Sequence, residues 1–547
     1  MSGTPERTPS SRVDVCVIGA GPAGMLIAHR LADRGYDVTV LEAGERFDFE
    51  RRLSRMERTI RPAHDPETVW DMGGDRDAYS STGEWFYPLN RARVKGMGGT
   101  TLHWQGMVMR LHEADFETNT RYGIATDWPI AYSDLKSYYA AAESALGVAG
   151  ATDNPFGPPR SEPYPMPAFP PSHSDSIFAE ACERLGVTMH SIPNARNSEP
   201  YDGDSQCVGY GTCKPVCPSG AKYDATRHVD KAEAAGARVI DQVPVQRLEH
   251  DRSGETIEAA VYVTPEGETY RQEARQFVVA CGGVETPRLL LLSRSSEYPD
   301  GLANSSGLVG RYFMDHLFAG TGGTIDRPTR QNHIGFLTSE THQFYDDPTE
   351  GTDGGIPPDP GDRAEFTPLK LEFFNYAGPS PVELALDSEE WGDDLLASIR
   401  DAYGNSIAMG GLVGQRPRKE NFIGLDPSET DDHGNPVPKI HWRVDEATKR
   451  TIRRANEIQE TILAELDAKI TWQVGPEETG PAFHHMGTTR MGTDPATSVV
   501  TPRMRTHDLD NLWIAGSSVF VTSGAMNPTL TIAALALKAA DHIDKTL

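Results

Sequence analysis

The chain has 547 residues, too many for one ordinary core, so two or more domains are expected. Apolar residues at 38% and charged residues at 24% are a soluble globular balance that excludes a disordered chain. Asp and Glu number 79 against 52 Lys and Arg, a net charge of −27 that argues against nucleic acid or an anionic membrane as partner. The acid is dispersed rather than gathered in a tail, and self-repulsion of this size is tolerable when screened, which suggests a salt-adapted protein. No apolar run approaches the roughly 18 residues of a membrane span, so no direct membrane insertion is expected. The start, "MSGTPERTPSSR", has neither a twin arginine nor an apolar core behind it, so a cytoplasmic location is the default.

The first element reads strand, glycine turn, helix, strand: "VDVCVIGAGPAGMLIAHRLADRGYDVTVLEAG". Val13 to Ile18 suits a buried parallel strand. Gly19, Gly21 and Gly24 form G-x-G-x-x-G, serving the tight turn, the backbone approach to a pyrophosphate and the close packing of helix on strand. Glu42 closes the second strand, where a carboxylate accepts from adenosine ribose hydroxyls and would repel a 2′-phosphate. No second G-x-G-x-x-G occurs. If this site holds FAD, no separate nicotinamide site is visible, and electrons enter or leave by another route.

Next come a Pro-rich loop, "DNPFGPPRSEPYPMPAFPP" (Asp153–Pro171), and then three of the six cysteines close together in "CVGYGTCKPVCPSGAKYD". Thiolates at C-x5-C-x3-C-P could bind zinc, form a disulfide or ligate iron–sulfur. Structural zinc wants four ligands, and His228 is poorly placed as the fourth. A disulfide leaves one thiol over. Iron–sulfur clusters use close-set cysteines with a trailing C-P, although standard clusters take four. A second loop follows, "YDDPTEGTDGGIPPDPGD" (Tyr345–Asp362). "KIHWRVDEATKRTIRRANEIQETILAEL" then reads as a strand and an amphipathic helix from about Asp445, with Ile452, Ile458, Ile462 and Leu463 inward.

At the C-terminus, "SGAMNPTLTIAALALKAADHI" carries a marked helix start, with Asn527 as N-cap and Pro528 at the first helical position. A helix N-terminus suits an anion such as the pyrimidine edge of a reduced flavin. His484, His485 and Asn527 are the polar groups to weigh for chemistry. A histidine near neutrality takes a hydroxyl proton while the C–H leaves as hydride, and a neighbouring amide holds the same hydroxyl. Alone, two adjacent histidines are more often loop residues, and N-P-T is merely a cap.

Together with "GMGGTTLHW" (Gly96–Trp104), "DWPIAYSDLKSYYAAAESALGV" (Asp127–Val148), "ACGGVETPRLLLLS" (Ala280–Ser293) and "NLWIAGSSVF" (Asn511–Phe520), these motifs resemble the glucose–methanol–choline (GMC) oxidoreductase family over nearly the whole length. The resemblance implies an α/β fold, a Rossmann-like FAD domain with an inserted α+β substrate domain on an antiparallel sheet. It assigns 12–48, 90–110, 225–325 and 480–547 to the FAD domain, 111–224 to a linking region with the cysteine loop, and 326–479 to the substrate domain. It places the loop from Tyr345 over the substrate pocket, makes His484 rather than His485 the base, and makes Asn527 its partner. The His–Asn form resembles the pyranose oxidase and sugar dehydrogenase branches. Gly98, Gly99 and Thr100 match the loop over the flavin. His103 matches a position covalently joined to the flavin in some relatives. Gly516, Ser517, Pro528 and Thr529 are further expected flavin contacts.

The cysteine stretch is similar to the loop of FAD-dependent glucose, fructose and sorbitol dehydrogenases, with gluconate dehydrogenases carrying related loops. That likeness implies a 3Fe–4S cluster on Cys207, Cys213 and Cys217. It also implies a sugar, sugar acid or polyol substrate, a cytochrome or quinone-type acceptor, and a small chaperone-like subunit. Export in company with such a subunit is the alternative location. The other readings are an oxygen-using oxidase of the pyranose oxidase type, a flavin lyase without net redox chemistry, and a non-catalytic electron-transfer subunit.

Overall fold

A computed structural model describes residues 7–59 and 69–547; the first six residues of the start segment lie outside it. The fingerprint segment folds as expected, with strand Val13–Ile18, helix Pro22–Ala32 and strand Val38–Leu41. All three strand neighbours of this region are parallel. Val13–Ile18 lies between Val38–Leu41 and Thr269–Val279, and Arg238–Ile240 pairs beyond Val38–Leu41. Leu512–Ile514 runs parallel beside the far end of Thr269–Val279. The near end of that long strand turns antiparallel partner to Ile257–Val263, which in turn pairs with Val245–His250. Widely separated segments therefore complete one seven-stranded sheet. Helices Pro22–Ala32 and Thr529–Asp544 pack against each other, and Tyr132–Leu146 packs on the latter, with Tyr139 Oη 2.8 Å from Thr531 Oγ1.

A second sheet has six antiparallel strands in the order 469–474, 317–324, 406–413, 369–374, 339–341, 190–191. Helix Glu446–Ala464 covers one face, capped by Asp445 Oδ1 accepting from the Thr448 N–H at 3.1 Å. Ile452, Ile458, Ile462 and Leu463 are buried there with Leu369, Leu371 and Phe373. By the period of two, Lys370, Glu372 and Phe374 point to the opposite face, toward the first domain.

Two expectations need correction. The antiparallel sheet takes in Leu317–Thr324, from the segment given to the FAD domain, and His190–Ser191, from the linking region. The sequence "LFAGTGGT" hides this strand because its glycines make room for large rings. A Cβ at Gly322 would stand 2.5 Å from the Trp472 indole, and one at Gly320 2.6 Å from the Phe318 ring. Secondly, no residue of the loop 345–362 lines the central cavity, and the strand of "KIHW", which forms as expected (Pro436–Trp442), pairs with Phe422–Thr430 and Ser80–Gly83 in a separate small sheet. Arg454 holds that loop against helix Glu446–Ala464 instead, donating to the carbonyls of Pro348, Glu350 and Pro357.

Candidate active site

Between the two sheets lies a cavity of about 1040 Å³ that runs from the fingerprint turn to the head of the C-terminal helix. At one end the glycines divide their tasks. Gly19 sits at φ +102, and a Cβ there would meet the Ala280 carbonyl at 2.7 Å. A Cβ on Gly24 would stand 2.0 Å from the Gly19 carbonyl oxygen, so this residue serves helix packing and does not line the cavity. Gly21 lines it, and a Cβ there meets no protein atom within 4 Å. The space in front of Gly21 and the N-terminus of Pro22–Ala32 is thus a cradle that a side chain would fill, as a bound pyrophosphate requires. Glu42 borders the same space. Its two carboxylate oxygens accept from the Ala20 and Gly44 N–H groups, both at 2.8 Å, which locks the turn and leaves further lone pairs for ribose hydroxyls. Burial raises its pKa despite these bonds.

The loop from Gly98 crosses over this turn. The Gly98 N–H donates to the Ala20 carbonyl at 3.0 Å, and a Cβ on Gly99 would stand 3.1 Å from Gly21 Cα. Gly99, Thr100 and His103 line the cavity, whereas Gly98 shapes the loop from behind. His103 is buried, and burial, aided by Lys214 and Lys222, drops its pKa to about 3, so its ring is neutral. Gly516, Ser517, Pro528 and Thr529 line the far wall.

His484 and Asn527 meet at that wall. Asn527 does not cap the final helix, whose first residue is Thr529 with Pro528 as N-cap. Its amide turns into the cavity instead, with Nδ2 3.5 Å from His484 Nε2 and the buried Oδ1 unpartnered. The base is oriented by residues that carry no motif. His316 Nε2 lies 3.1 Å from the Ser523 carbonyl, which only accepts, so this nitrogen holds the proton. His316 Nδ1 therefore accepts from His484 Nδ1–H, 2.9 Å away. The lone pair of His484 is left on Nε2, facing Asn527 and the cavity. Asp315 Oδ1 accepts the His484 backbone N–H at 2.8 Å, and Tyr87 Oη donates to Asp315 Oδ2. Burial, reinforced by His316, Lys370 and His485, holds His484 well below its usual pKa, so the base is free at neutral pH.

His485 turns to the other side, against Tyr87 and Phe313. Its Nε2 is buried without a partner on the cavity wall, a second polar atom, with Asn527 Oδ1, that a bound group would satisfy. Gly283 allows this approach, because a Cβ there would stand 2.5 Å from the His485 carbonyl oxygen. The residues present therefore fit FAD.

Cys207, Cys213 and Cys217 are free thiols beside the loop 99–104 and do not line the cavity. Lys222 joins the two loops. Its ammonium, fully buried, donates to the carbonyls of Cys213 (2.9 Å), Leu102 (3.3 Å) and Trp104. The Lys222 N–H and Ser219 Oγ face Cys217 Sγ at 3.5 and 3.7 Å. Burial alone would raise the Cys217 thiol, but these donors and the nearby cations outweigh it and hold it low. Cys207 is raised by burial, with the other two thiols adding to the effect. Among the described residues the three sulfurs do not converge within 4.8 Å, as one zinc ion would require. A cluster places each thiolate on a different iron and needs no such convergence. Three free thiols in one loop, with N–H donors and cations beside Cys217, fit that donor set.

A dinucleotide cradle that ends at a neutral imidazole and an amide defines a flavin-dependent oxidoreductase acting on CH–OH groups. The chain belongs to the GMC oxidoreductase family, whose sequence profiles match residues 89–318 and 417–536, and a profile of FAD dependent oxidoreductases matches 14–72. It is 33% identical to the fructose dehydrogenase large subunit of Gluconobacter japonicus, covering 97% of each chain. It is 30% identical to the 2-methyl-1,2-propanediol dehydrogenase of Mycolicibacterium austroafricanum, covering 98% of this chain and 96% of that one. Among solved structures, formate oxidase of Aspergillus oryzae shares the fold, with TM-score 0.67 and 16% identity over 98% of this chain and 99% of that one.

Proposed function

We propose that this chain is the catalytic subunit of a dehydrogenase that oxidises a hydroxyl of a sugar, sugar acid or polyol to a carbonyl. The observation that carries the reading is the His316–His484–Asn527 chain, which presents an unprotonated Nε2 and an amide to the same point of the cavity. His484 Nε2 takes the hydroxyl proton, and Asn527 Nδ2 donates to the hydroxyl oxygen and steadies the alkoxide that develops. His316 keeps its hydrogen bond to Nδ1 while His484 carries the extra proton. FAD, when bound, supplies the hydride acceptor. Gln105 and Tyr376, hydrogen-bonded at 2.7 Å, and Glu372 add the polar wall that a polyol needs.

A 3Fe–4S cluster held by Cys207, Cys213 and Cys217 would supply one-electron transfer outward, to a cytochrome or quinone-type acceptor. The similarity to a protein named as a large subunit supports partner subunits, and through them export or membrane association. No helix of the described residues is long and apolar enough to cross a membrane. The dispersed net charge of −27 supports a salt-rich setting.

The test is an anaerobic panel of sugars, sugar acids and polyols, followed by flavin absorbance, iron content and the EPR spectrum of the protein as isolated. Flavin bleaching by a polyol, with about three irons per chain and a cluster signal lost on reduction, is expected. Bleaching without iron, and rapid reoxidation by oxygen, would replace the dehydrogenase with an oxidase. A flavin that no alcohol bleaches would sink both.

A further inference from the structure

Away from the catalytic wall, three buried side chains bring ligand atoms together. Strand Ser339–Thr341 pairs antiparallel with His190–Ser191, and Glu340 lies directly opposite His190. Opposed residues share one face of a sheet, and His342, two positions after Glu340, returns to that face. One ligand atom from each of His190, Glu340 and His342 lies within 4.8 Å of the others. The residues are 3%, 0% and 3% exposed.

The hydrogen bonding around them is unusual. His190 Nε2 lacks a hydrogen-bond partner, and Glu340 Oε1 and His342 Nε2, 3.0 Å apart, have none but each other. Buried polar atoms are nearly always paired, and this cluster leaves one ring nitrogen with no partner and two further atoms with only each other. His190 Nδ1 lies 3.2 Å from the Ser191 carbonyl, so it carries the proton and leaves the lone pair on Nε2. His112 Nδ1 faces Asp346 Oδ1 at 3.4 Å and carries a proton too, which makes His112 Nε2 an acceptor 3.3 Å from His342 Nδ1. That contact supports the His342 tautomer with its lone pair on Nε2. Asn154 Nδ2, 3.0 Å from His342 Nδ1, supports the other tautomer, with Nε2–H toward Glu340. The ring thus has a partner for either form, and a cation at Nε2 would select the first.

The local charge also favours a cation. Lys370 sits between Glu340 Oε2 (2.9 Å) and Glu372 Oε1 (2.7 Å), one ammonium for two carboxylates in a region closed to water. We propose that His190, Glu340 and His342 form a zinc site. Two imidazoles and a carboxylate are a recurrent zinc donor set. Each imidazole has its second nitrogen held, by a carbonyl for His190 and by the His112–Asp346 pair for His342, as ligating histidines do. The ion would staple the two-residue edge strand His190–Ser191 to the substrate sheet. It would sit one ion pair behind Glu372, which lines the catalytic cavity.

The test uses the flavin-loaded full chain, dialysed free of loose metal, with zinc counted by mass spectrometry and the stripped protein titrated with Co²⁺. About one zinc per chain and a cobalt d–d absorption of four-coordinate strength are expected. The double variant His190→Asn/His342→Gln should lose both signals while keeping its flavin. His112→Ala, which removes no ligand, should weaken zinc binding about 10–100-fold. No zinc above background and no cobalt absorption in the wild-type protein would overturn the site, leaving Glu340 as the ion-pair partner of Lys370 only. Zinc that persists in the double variant and vanishes in Cys213→Ser would assign the metal to the cysteine loop and overturn it equally.

Discussion

Replacing His316 by Ala leaves every group that touches the substrate in place and removes the acceptor behind His484, together with the donor to the Ser523 carbonyl. The bond lost is the 2.9 Å contact from His484 Nδ1–H. A buried donor without its partner costs about 1–3 kcal/mol, and the imidazole escapes part of that cost by moving its proton to Nε2. The proton then occupies the lone pair that should receive the substrate's. If the competent tautomer falls by that free energy, kcat/KM drops roughly 5- to 150-fold. Deleting the base outright should cost more, about 10²–10⁴-fold. His316 also helps to hold the His484 pKa below its usual value, second only to burial. Its loss should therefore move the acid limb of kcat/KM upward in pH. His316→Gln, whose carbonyl oxygen can accept, should recover part of the rate. The assay is anaerobic stopped-flow bleaching of the flavin by the best polyol of the panel, with flavin content measured for each variant. A fully flavinylated His316→Ala enzyme within twofold of wild type, with an unmoved acid limb, would refute the tautomer assignment.

Three further outcomes follow from other parts of the molecule. Gly21→Ala should fold normally and lose FAD affinity, because its Cβ enters open cavity, whereas Gly24→Ala should lower the melting temperature of the flavin-free protein, because its Cβ meets a carbonyl oxygen at 2.0 Å. Paired flavin titrations and thermal melts separate the two, and matching behaviour would contradict the division of tasks. Burial lowers the pKa of His103 and His228 to about 3 and of His316 to about 4, so the unfolded chain takes up protons near pH 6.5 that the folded chain refuses. Stability from these three is fully present above pH 6.5 and falls as pH drops toward 4, by about 6 kcal/mol at pH 5, comparable with a domain's whole stability. Urea unfolding between pH 7 and 5 measures this, and a flat profile would contradict it. Finally, the net charge of −27 should make the melting temperature rise with KCl, and a salt-independent melt would remove the case for salt adaptation.

What was legible in the sequence is what local geometry demands. The fingerprint glycines lie within one short segment, two at close approaches and Gly21 at the open cradle, so their spacing reports the turn directly. The helix Glu446–Ala464 shows its buried face through its period, and its Asp445 cap is one residue away. The roles of His484 and Asn527 came through family likeness, and the cap read locally for Asn527 was wrong by one position, since Pro528 takes it and frees the amide for the cavity. His316, Asp315, Tyr87 and Lys222 were not legible, because each gains its role from a partner distant in the chain. The strand Leu317–Thr324 was missed for a different reason. Its glycines answer to Trp472 and Phe318, and glycine in a strand reads as a loop.

The three carbonyls gathered on the Lys222 ammonium have a consequence for assembly. Leu102 and Trp104 belong to the loop over the flavin cradle, and Cys213 belongs to the cysteine loop, so one buried cation sets the spacing of both. Neither loop can relax without stranding an ammonium in a dry interior. Ordering one loop therefore prepays part of the ordering of the other, and by reciprocity a group bound at the thiols would tighten the grip on the dinucleotide to the same degree that the dinucleotide would tighten the grip at the thiols. Maturation of the two sites would, in that sense, be a single event with two entrances.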